Sequence, residues 1–234
     1  MHIGLLVTNT DDSDFAARHP RDAEKFGRLV AGVRPDWQVT AFDLPNGEFP
    51  DGLQGFDGLL IGGSPASVLD DLVWVHRLMG AIREAYAMGV PMVGACFGHQ
   101  AIAQALGGTV GRNPGPFVLG AAETEIVAPA PWMDKQARIR LAAAHGEQVL
   151  ALPPGAEVIG RSEGCPVAAY RIGKRVFATQ YHPEMTPDFV AALVEEFAPH
   201  FPPEVGDTAR ASLPGGIEGP RFAEWIARFF EQAV

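Results

Sequence analysis

The sequence predicts an α/β fold with a mostly parallel central sheet, helices on both faces and an antiparallel extension. Through the first half, short apolar runs (IGLLVT, GLLI, VPMVGA) alternate with segments of helical period. The second half changes to short β-rich runs separated by Pro- and Gly-rich turns. The chain has 234 residues, 47% of them hydrophobic, which is enough to bury a full core.

Taken in order, residues 3–8 (IGLLVT) read as a buried strand that delivers the chain into the polar loop NTDDSD. Phe26, Leu29, Val30 and Val33 recur with helical spacing across 22–33, and WQVTAFDL at 37–44 follows as a second strand, a βαβ start. Gly58 to Ile61 is a third apolar run, closed by Gly62-Gly63-Ser64-Pro65. Leu69, Leu72, Val75, Met79, Ile82 and Tyr86 then predict one long amphipathic helix. VPMVGA at 90–95 is the fourth strand, and HQAIAQALGG behind it predicts a helix closed by glycines.

From Thr109 to about Glu163, ETEIVAPA, ARIRLAAAHGEQV and AEVIGRS read as the antiparallel extension. RIGKR predicts a hairpin turn, after which RVFATQY reads as a central strand feeding HPE and an amphipathic helix from Thr186 to about Phe197. HFPPEVGDTARASLPGGIEGP reads as a connector, and the last helix presents Phe222, Trp225, Ile226 and Phe229 on one packing face. The expectation is one domain over 1–234, its core about 3–197 and a connector with a terminal helix at 198–234.

Charge narrows the partners. With 18 Lys and Arg against 28 Asp and Glu, the net charge of −10 argues against nucleic acid or an anionic membrane and for a small polar ligand. No uncharged apolar stretch reaches the ~20 residues that span a bilayer, and MHIGLLVTNT lacks a basic lead, so a cytoplasmic location is expected. Two cysteines, Cys96 and Cys165, make no disulfide framework, and both are read as reduced.

Cys96 lies in Gly94-x-Cys96-x-Gly98, the spacing of a nucleophile elbow between a strand and a helix. Such a turn needs residues without bulky neighbours and lifts the central side chain above the carboxyl end of the sheet, where α/β folds bind ligands. The helix behind it favours thiolate over thiol, and its free N–H groups can receive an oxyanion. Alone, the same cysteine fits a small buried apolar filler equally well. A thiol nucleophile needs a base, and of seven histidines His182 fits best: it ends a central strand, Pro183 stiffens its exit, and Glu184 can orient its ring. The pairing turns the reading toward a nucleophile. Gly63, in the turn after the third strand, could add a backbone N–H to an oxyanion site, and without a following Gly-Lys-Ser/Thr that turn is no phosphate loop. Thiolate, imidazole and carboxylate also ligate zinc, yet no Cys-x-x-Cys or His-Glu-x-x-His occurs, so neither a metal nor a cofactor is expected. His99 is assigned a packing role, and Cys165 is expected to be buried.

GACFGHQ together with QYHPE resembles the class I (triad) glutamine amidotransferases, over roughly Ile3 to Phe197, and GLLIGGSPASVLDD is similar to the free-standing GMP-synthase-type glutaminases. The resemblance implies a flavodoxin-like parallel sheet, Cys96 as nucleophile, His182 as general base and acid, and Glu184 as its orienting carboxylate. It implies oxyanion N–H groups from Gly63 and Phe97, a hold on the substrate's amino-acid end from Gln100, and a place near the glutamine pocket for AHGEQV around His145. The implied reaction is thiolate attack on the glutamine carboxamide, release of ammonia, and hydrolysis of a γ-glutamyl thioester. Two departures stand out: Gly-Gly-Ser-Pro replaces the frequent Gly-Gly-Pro, and Ala144 stands where a serine often precedes the histidine. No synthetase domain follows Phe197, so the expected partners are glutamine or a γ-glutamyl small molecule and, for the ammonia, a separate synthetase or none. The alternative is a γ-glutamyl peptidase or hydrolase with the same triad. A non-catalytic regulatory module is a third reading, against which the joint presence of Cys96, His182 and Glu184 argues.

Overall fold

The structure is a computed structural model that describes residues 1–233. In chain order the elements are β1 (His2–Val7), α1 (Asp14–Ala17), α2 (Asp22–Ala31), β2 (Gln38–Asp43), β3 (Gly58–Ile61), α3 (Val73–Met88), β4 (Met92–Ala95) and α4 (Phe97–Ala105). There follow β5 (Thr109–Arg112), β6 (Val118–Ile126), β7 (Arg138–His145), β8 (Glu147–Ala151), β9 (Glu157–Ser162), β10 (Cys165–Ile172) and β11 (Val176–Thr179). The chain closes with α5 (Pro187–Phe197), α6 (Pro203–Ser212) and α7 (Gly219–Glu231).

One nine-stranded sheet runs β2-β1-β3-β4-β11-β10-β9-β6-β7. Its first five strands are parallel neighbours, and from β10 onward every pairing is antiparallel. The expected α/β fold with an antiparallel extension is therefore the observed one. Strand alternation sorts the apolar side chains into two layers. Leu5, Leu60, Val93 and Phe177 meet Phe26 and Val30 of α2 and the Phe222, Trp225, Phe229 and Phe230 face of α7. Leu6, Leu59, Ile61, Met92 and Val176 meet Val75, Leu78 and Ile82 of α3 and Ala101 and Ile102 of α4. Runs buried on both faces, such as GLLI, carry no polar position because neither face reaches water.

The structure departs from the sequence expectation in three places. Leu69 and Leu72 do not belong to α3: they are 53% and 40% exposed, and the Ser67 N–H donates to the Asp70 carboxylate in a local turn that delays the helix to Val73. The run ARIRLAAAHGEQV breaks at Gly146 into β7 and β8, and β8 leaves the main sheet to pair with β5. The connector at 198–218 contains a helix, α6, begun by Pro203 where a missing N–H costs nothing. Its buried side is only Val205, Gly206 and Ala209, so its apolar period is faint, and it packs on β6 where a Cβ on Gly120 (φ +106) would stand 2.9 Å from the Ala209 carbonyl oxygen. Ser212 Oγ accepts the Ala121 N–H at 2.8 Å and locks that contact.

Among the described residues, no helix is long and apolar enough to cross a membrane.

Candidate active site

The carboxyl ends of β3, β4 and β11 converge on Cys96. It occupies the junction between β4 and α4 at φ 50°, ψ −103°, the sole non-glycine with positive φ among the described residues. A backbone so placed costs on the order of 1–3 kcal/mol and persists only where neighbours enforce it. Here they do. The Cys96 N–H donates to Thr179 O of β11 at 2.9 Å, and the Gly98 N–H donates to Gly62 O at 2.9 Å. The elbow's glycines are required by space: a Cβ on Gly94 would lie 2.6 Å from the Gly98 carbonyl, and one on Gly98 would strike the Ile61 carbonyl oxygen. The Phe97 side chain is buried against Trp74, ring centroids 5.5 Å apart, which anchors the start of α4.

Gly63 lies between the cysteine and the histidine. A Cβ there would stand 2.6 Å from His182 Cε1 and 3.6 Å from Cys96 Cβ, so only glycine lets these three residues close together. The Gly62–Gly63 peptide is held by its carbonyl, which accepts from Thr8 Oγ1 at 3.1 Å and from the Gly98 N–H. A trans peptide directs its N–H opposite to its carbonyl, so the Gly63 N–H points away from Thr8 and Gly98. Thr8, at the end of β1, was not singled out from the sequence; its position after a buried strand was the available signal.

His182 is fixed at both ends. Its backbone N–H donates to Ala142 O at 2.9 Å as an isolated bridge to β7, and its Nδ1 lies 2.7 Å from Glu184 Oε1. The ring is buried, with Nε2 left without a hydrogen-bond partner among the described residues. Burial by itself would depress the imidazole, but the Glu184 carboxylate and the neighbouring Cys96 sulfur outweigh it and hold the ring well above the usual histidine range. Cys96, Gly63, His182 and Glu184 are thus brought together as the sequence expected.

Gln100 and His145 stand differently. Gln100 is buried one turn into α4, and Nε2 spends its hydrogens on Glu147 O at 2.9 Å and Gln180 Oε1 at 3.2 Å. Gln180 in turn points Nε2 at Cys96 Sγ, 3.7 Å away, so Gln100 reaches the sulfur through a second amide. Gln180 is a residue that sequence reasoning missed, although it sits two positions before His182 in the quoted QYHPE. His145 is buried with Nδ1 3.0 Å from Glu147 O, and burial, opposed by that bond and aided by the nearby His182, pushes it down to about 4. Its Nε2 is buried without a hydrogen-bond partner among the described residues, and the carbonyl of the preceding Ala144 lies 4.0 Å from Cys96 Sγ. His99 is buried, its ring tilted against Tyr170 with centroids 4.8 Å apart, and burial pushes it down to about 3. Among the described residues, no group of three or more His, Cys, Asp or Glu side chains is arranged to hold a metal ion.

Residues 30–197 match the family model described as glutamine amidotransferase class-I. The chain belongs to that family. Among similar curated proteins, gamma-glutamyl peptidase 4 of Arabidopsis thaliana is 29% identical over 237 residues, covering 97% of this chain and 94% of that protein. GMP synthase [glutamine-hydrolyzing] of Aeropyrum pernix is 36% identical over 129 residues, which is 55% of this chain and 24% of the synthase. A glutamine amidotransferase from Thermotoga maritima superposes with a TM-score of 0.76 at 18% identity, covering 98% of both chains. One from Methylobacillus flagellatus gives 0.73 at 24% identity, covering 99% of this chain and 94% of that one. At those identities the two structures establish the fold of this amidotransferase-family chain and nothing finer.

Proposed function

We propose that this amidotransferase-family chain hydrolyses γ-glutamyl amides through a covalent thioester on Cys96, with Cys96, His182 and Glu184 as its triad. The observation that carries the reading is the close meeting of Cys96, Gly63 and His182, with Glu184 2.7 Å behind the imidazole. The Cys96 thiolate attacks the γ-carboxamide carbon, and the carbonyl electron pair moves to oxygen. The resulting oxyanion faces the N–H groups of Gly63 and Phe97, neither of which has a hydrogen-bond partner among the described residues. Because Thr8 and Gly98 fix the Gly62 carbonyl, the Gly63 donor is in position before substrate arrives. His182, held protonated by Glu184, gives its proton to the leaving nitrogen as the C–N bond breaks. It then takes a proton from water, which attacks the thioester, releases glutamate and restores the thiolate.

The amine released decides between two substrates. With glutamine it is ammonia, and a separate synthetase would be its acceptor. The second reading, cleavage of γ-glutamyl peptides or other γ-glutamyl amides, draws on an end-to-end likeness: the peptidase aligns over nearly its whole length, whereas the synthase aligns over about a quarter of its own. Purified chain incubated with glutamine and a panel of γ-glutamyl amides, with ammonia, amine and glutamate followed, tests both. Wild type is expected to release glutamate and Cys96→Ala to release none. Equal turnover by the two would sink the triad, and an inert glutamine beside a cleaved γ-glutamyl peptide selects the peptidase reading.

A further inference from the structure

α7 lies beyond residue 197, where the family match ends, yet its first turn reaches the loop that carries His182 and Glu184. β7 is the last strand of the sheet, so one of its edges has no strand beside it. Successive residues of an antiparallel strand bond to opposite sides, so Arg140 and Ala142 direct their N–H and C=O groups off that same free edge. Ala142 O accepts the His182 N–H at 2.9 Å. Two residues away, the Arg140 N–H donates to Glu218 Oε2 at 2.8 Å, and Arg140 O accepts the Glu218 N–H at 2.7 Å. His182 and the residue that caps α7 thus hang side by side on one edge.

Glu218 is itself fixed. Arg221 Nη1 donates to its Oε1 at 2.9 Å, and the same guanidinium grips both oxygens of Asp134 at 2.6 and 2.7 Å. Gly219 follows, buried as the first residue of α7. A Cβ there would strike the Pro183 carbonyl oxygen and stand 3.9 Å from Met185 O. The φ of Gly219 is not positive, so the missing side chain serves close approach rather than an unusual backbone. Pro183 lies between His182 and Glu184, and its carbonyl belongs to the main chain, with no rotamer to swing aside. Displacing it would move the imidazole relative to the carboxylate, whose contact is Nδ1 to Oε1 at 2.7 Å.

We infer that Glu218 and Gly219 are positioning residues for the proposed triad: Glu218 pins the edge of β7 that holds His182, and Gly219 lets α7 back the Pro183 carbonyl, which sets His182 against Glu184. This deepens the proposed function and rests on it. No covalent step is involved; the two residues act through His182. The titratable or charged groups that bear on His182 are Glu184 and Cys96, His145 of β7, and Asp22 of α2 with its partner Lys25, and the variants below change none of them.

The test takes two readouts on the full chain. One is the alkaline step in the rate at which iodoacetamide alkylates Cys96, where His182 gives up its proton; the other is kcat and KM for a γ-glutamyl amide. In Gly219→Ala the step is expected to move down by about half a pH unit, because a looser Glu184 contact raises the imidazole less. The same variant is expected to lose about 30-fold in kcat with KM within about two-fold. Glu218→Ala is expected to move the step in the same direction and to lower kcat about ten-fold, and Glu218→Gln, whose amide oxygen still accepts the Arg140 N–H, to recover most of both. That pair carries the comparison if Gly219→Ala does not fold. Arg34→Met loosens the far end of α7, where Arg34 pairs with Glu224 and Glu231, and should lower stability with step and kcat unchanged. A step that stays in place in Gly219→Ala, a Glu218→Gln as impaired as Glu218→Ala, or an equal loss of kcat in Arg34→Met each overturn the assignment. A step that moves as expected in a chain that releases no glutamate leaves the positioning standing and removes the hydrolysis reading instead.

Discussion

Cysteine and histidine occur buried in two regions of this protein, with opposite outcomes. At the strand ends, Cys96 and His182 face each other, and the Glu184 carboxylate 2.7 Å behind the ring keeps the imidazole protonated despite its burial. Deeper in the core, burial wins: Cys165, at the start of β10, is pushed up to about 12, and His99, on α4, is pushed down to about 3. Neither of those two has an opposite charge to offset desolvation, so both stay neutral near pH 7. Enclosure is common to the two regions. What differs is the charge partner and the positive-φ backbone at Cys96, which sets its thiol against His182.

The largest expected effect separates the cysteines directly. Cys96→Ala should lower turnover of a γ-glutamyl amide by at least ~10⁴-fold. Cys165→Ala should leave it within about three-fold and cost roughly 1–2 kcal/mol of stability, read from urea unfolding. Comparable losses of activity in both variants would erase the distinction.

Next comes the charge partner. Glu184→Gln removes the carboxylate that raises His182 while burial still opposes protonation, so the imidazole should lose its proton at lower pH. The alkaline limb of the kcat/KM profile should move down in pH, and kcat/KM should fall by about 10²- to 10³-fold. A profile that keeps its position would mean that Glu184 does not set the charge of His182.

Backbone sharpens the contrast further. Gly94→Ala drives a methyl to 2.6 Å from the Gly98 carbonyl and 2.8 Å from the His99 nitrogen, main-chain atoms that cannot swing aside. A loss of about 1–3 kcal/mol in stability and on the order of 10²-fold in kcat/KM is expected. Gly164, one residue before Cys165, has φ +71° and open space around it, so Gly164→Ala should cost only about 1 kcal/mol and leave turnover unchanged. Equal activity losses at the two glycines would show that the tight elbow has no special part in catalysis.

The smallest effect is on pH stability. His99 is neutral while folded and takes a proton on unfolding below about 6.5, so it makes stability fall as the pH drops from about 6.5 toward about 3. His182 acts in the opposite sense: its contribution is present below the unfolded histidine value and is lost as pH rises through its raised folded one. His99→Phe keeps an aromatic ring on Tyr170 and removes the acid-sensitive group, which should flatten the stability slope between pH 4 and 6 by up to about 1.4 kcal/mol per pH unit. Superimposable slopes from urea midpoints would contradict that origin.

The parts of this molecule legible in the sequence are those where sterics leave one solution. Gly94 and Gly98 flank Cys96 because any Cβ there meets backbone, and that spacing exposed the elbow. His182 was legible through the strand before it and Pro183 after it. α6 was hidden because its buried stripe is one valine, one glycine and one alanine among prolines and polar residues, with its docking set by Gly120 some ninety positions earlier. Gln180 and Thr8 were hidden for a related reason. Each acts through a hydrogen bond to a residue distant in sequence, Cys96 in one case and the Gly62–Gly63 turn in the other, and a lone polar side chain after a buried strand does not name its partner.

The central claim is that Cys96 carries the acyl group. Acid-quenching the protein during turnover of a γ-glutamyl amide, then digesting it and weighing the peptides, tests this most directly. The account predicts a γ-glutamyl mass increment on the peptide that contains Cys96, and none on the peptide that contains Cys165. Glutamate release with no increment on the Cys96 peptide at any quench time, or an increment on Cys165, would contradict it.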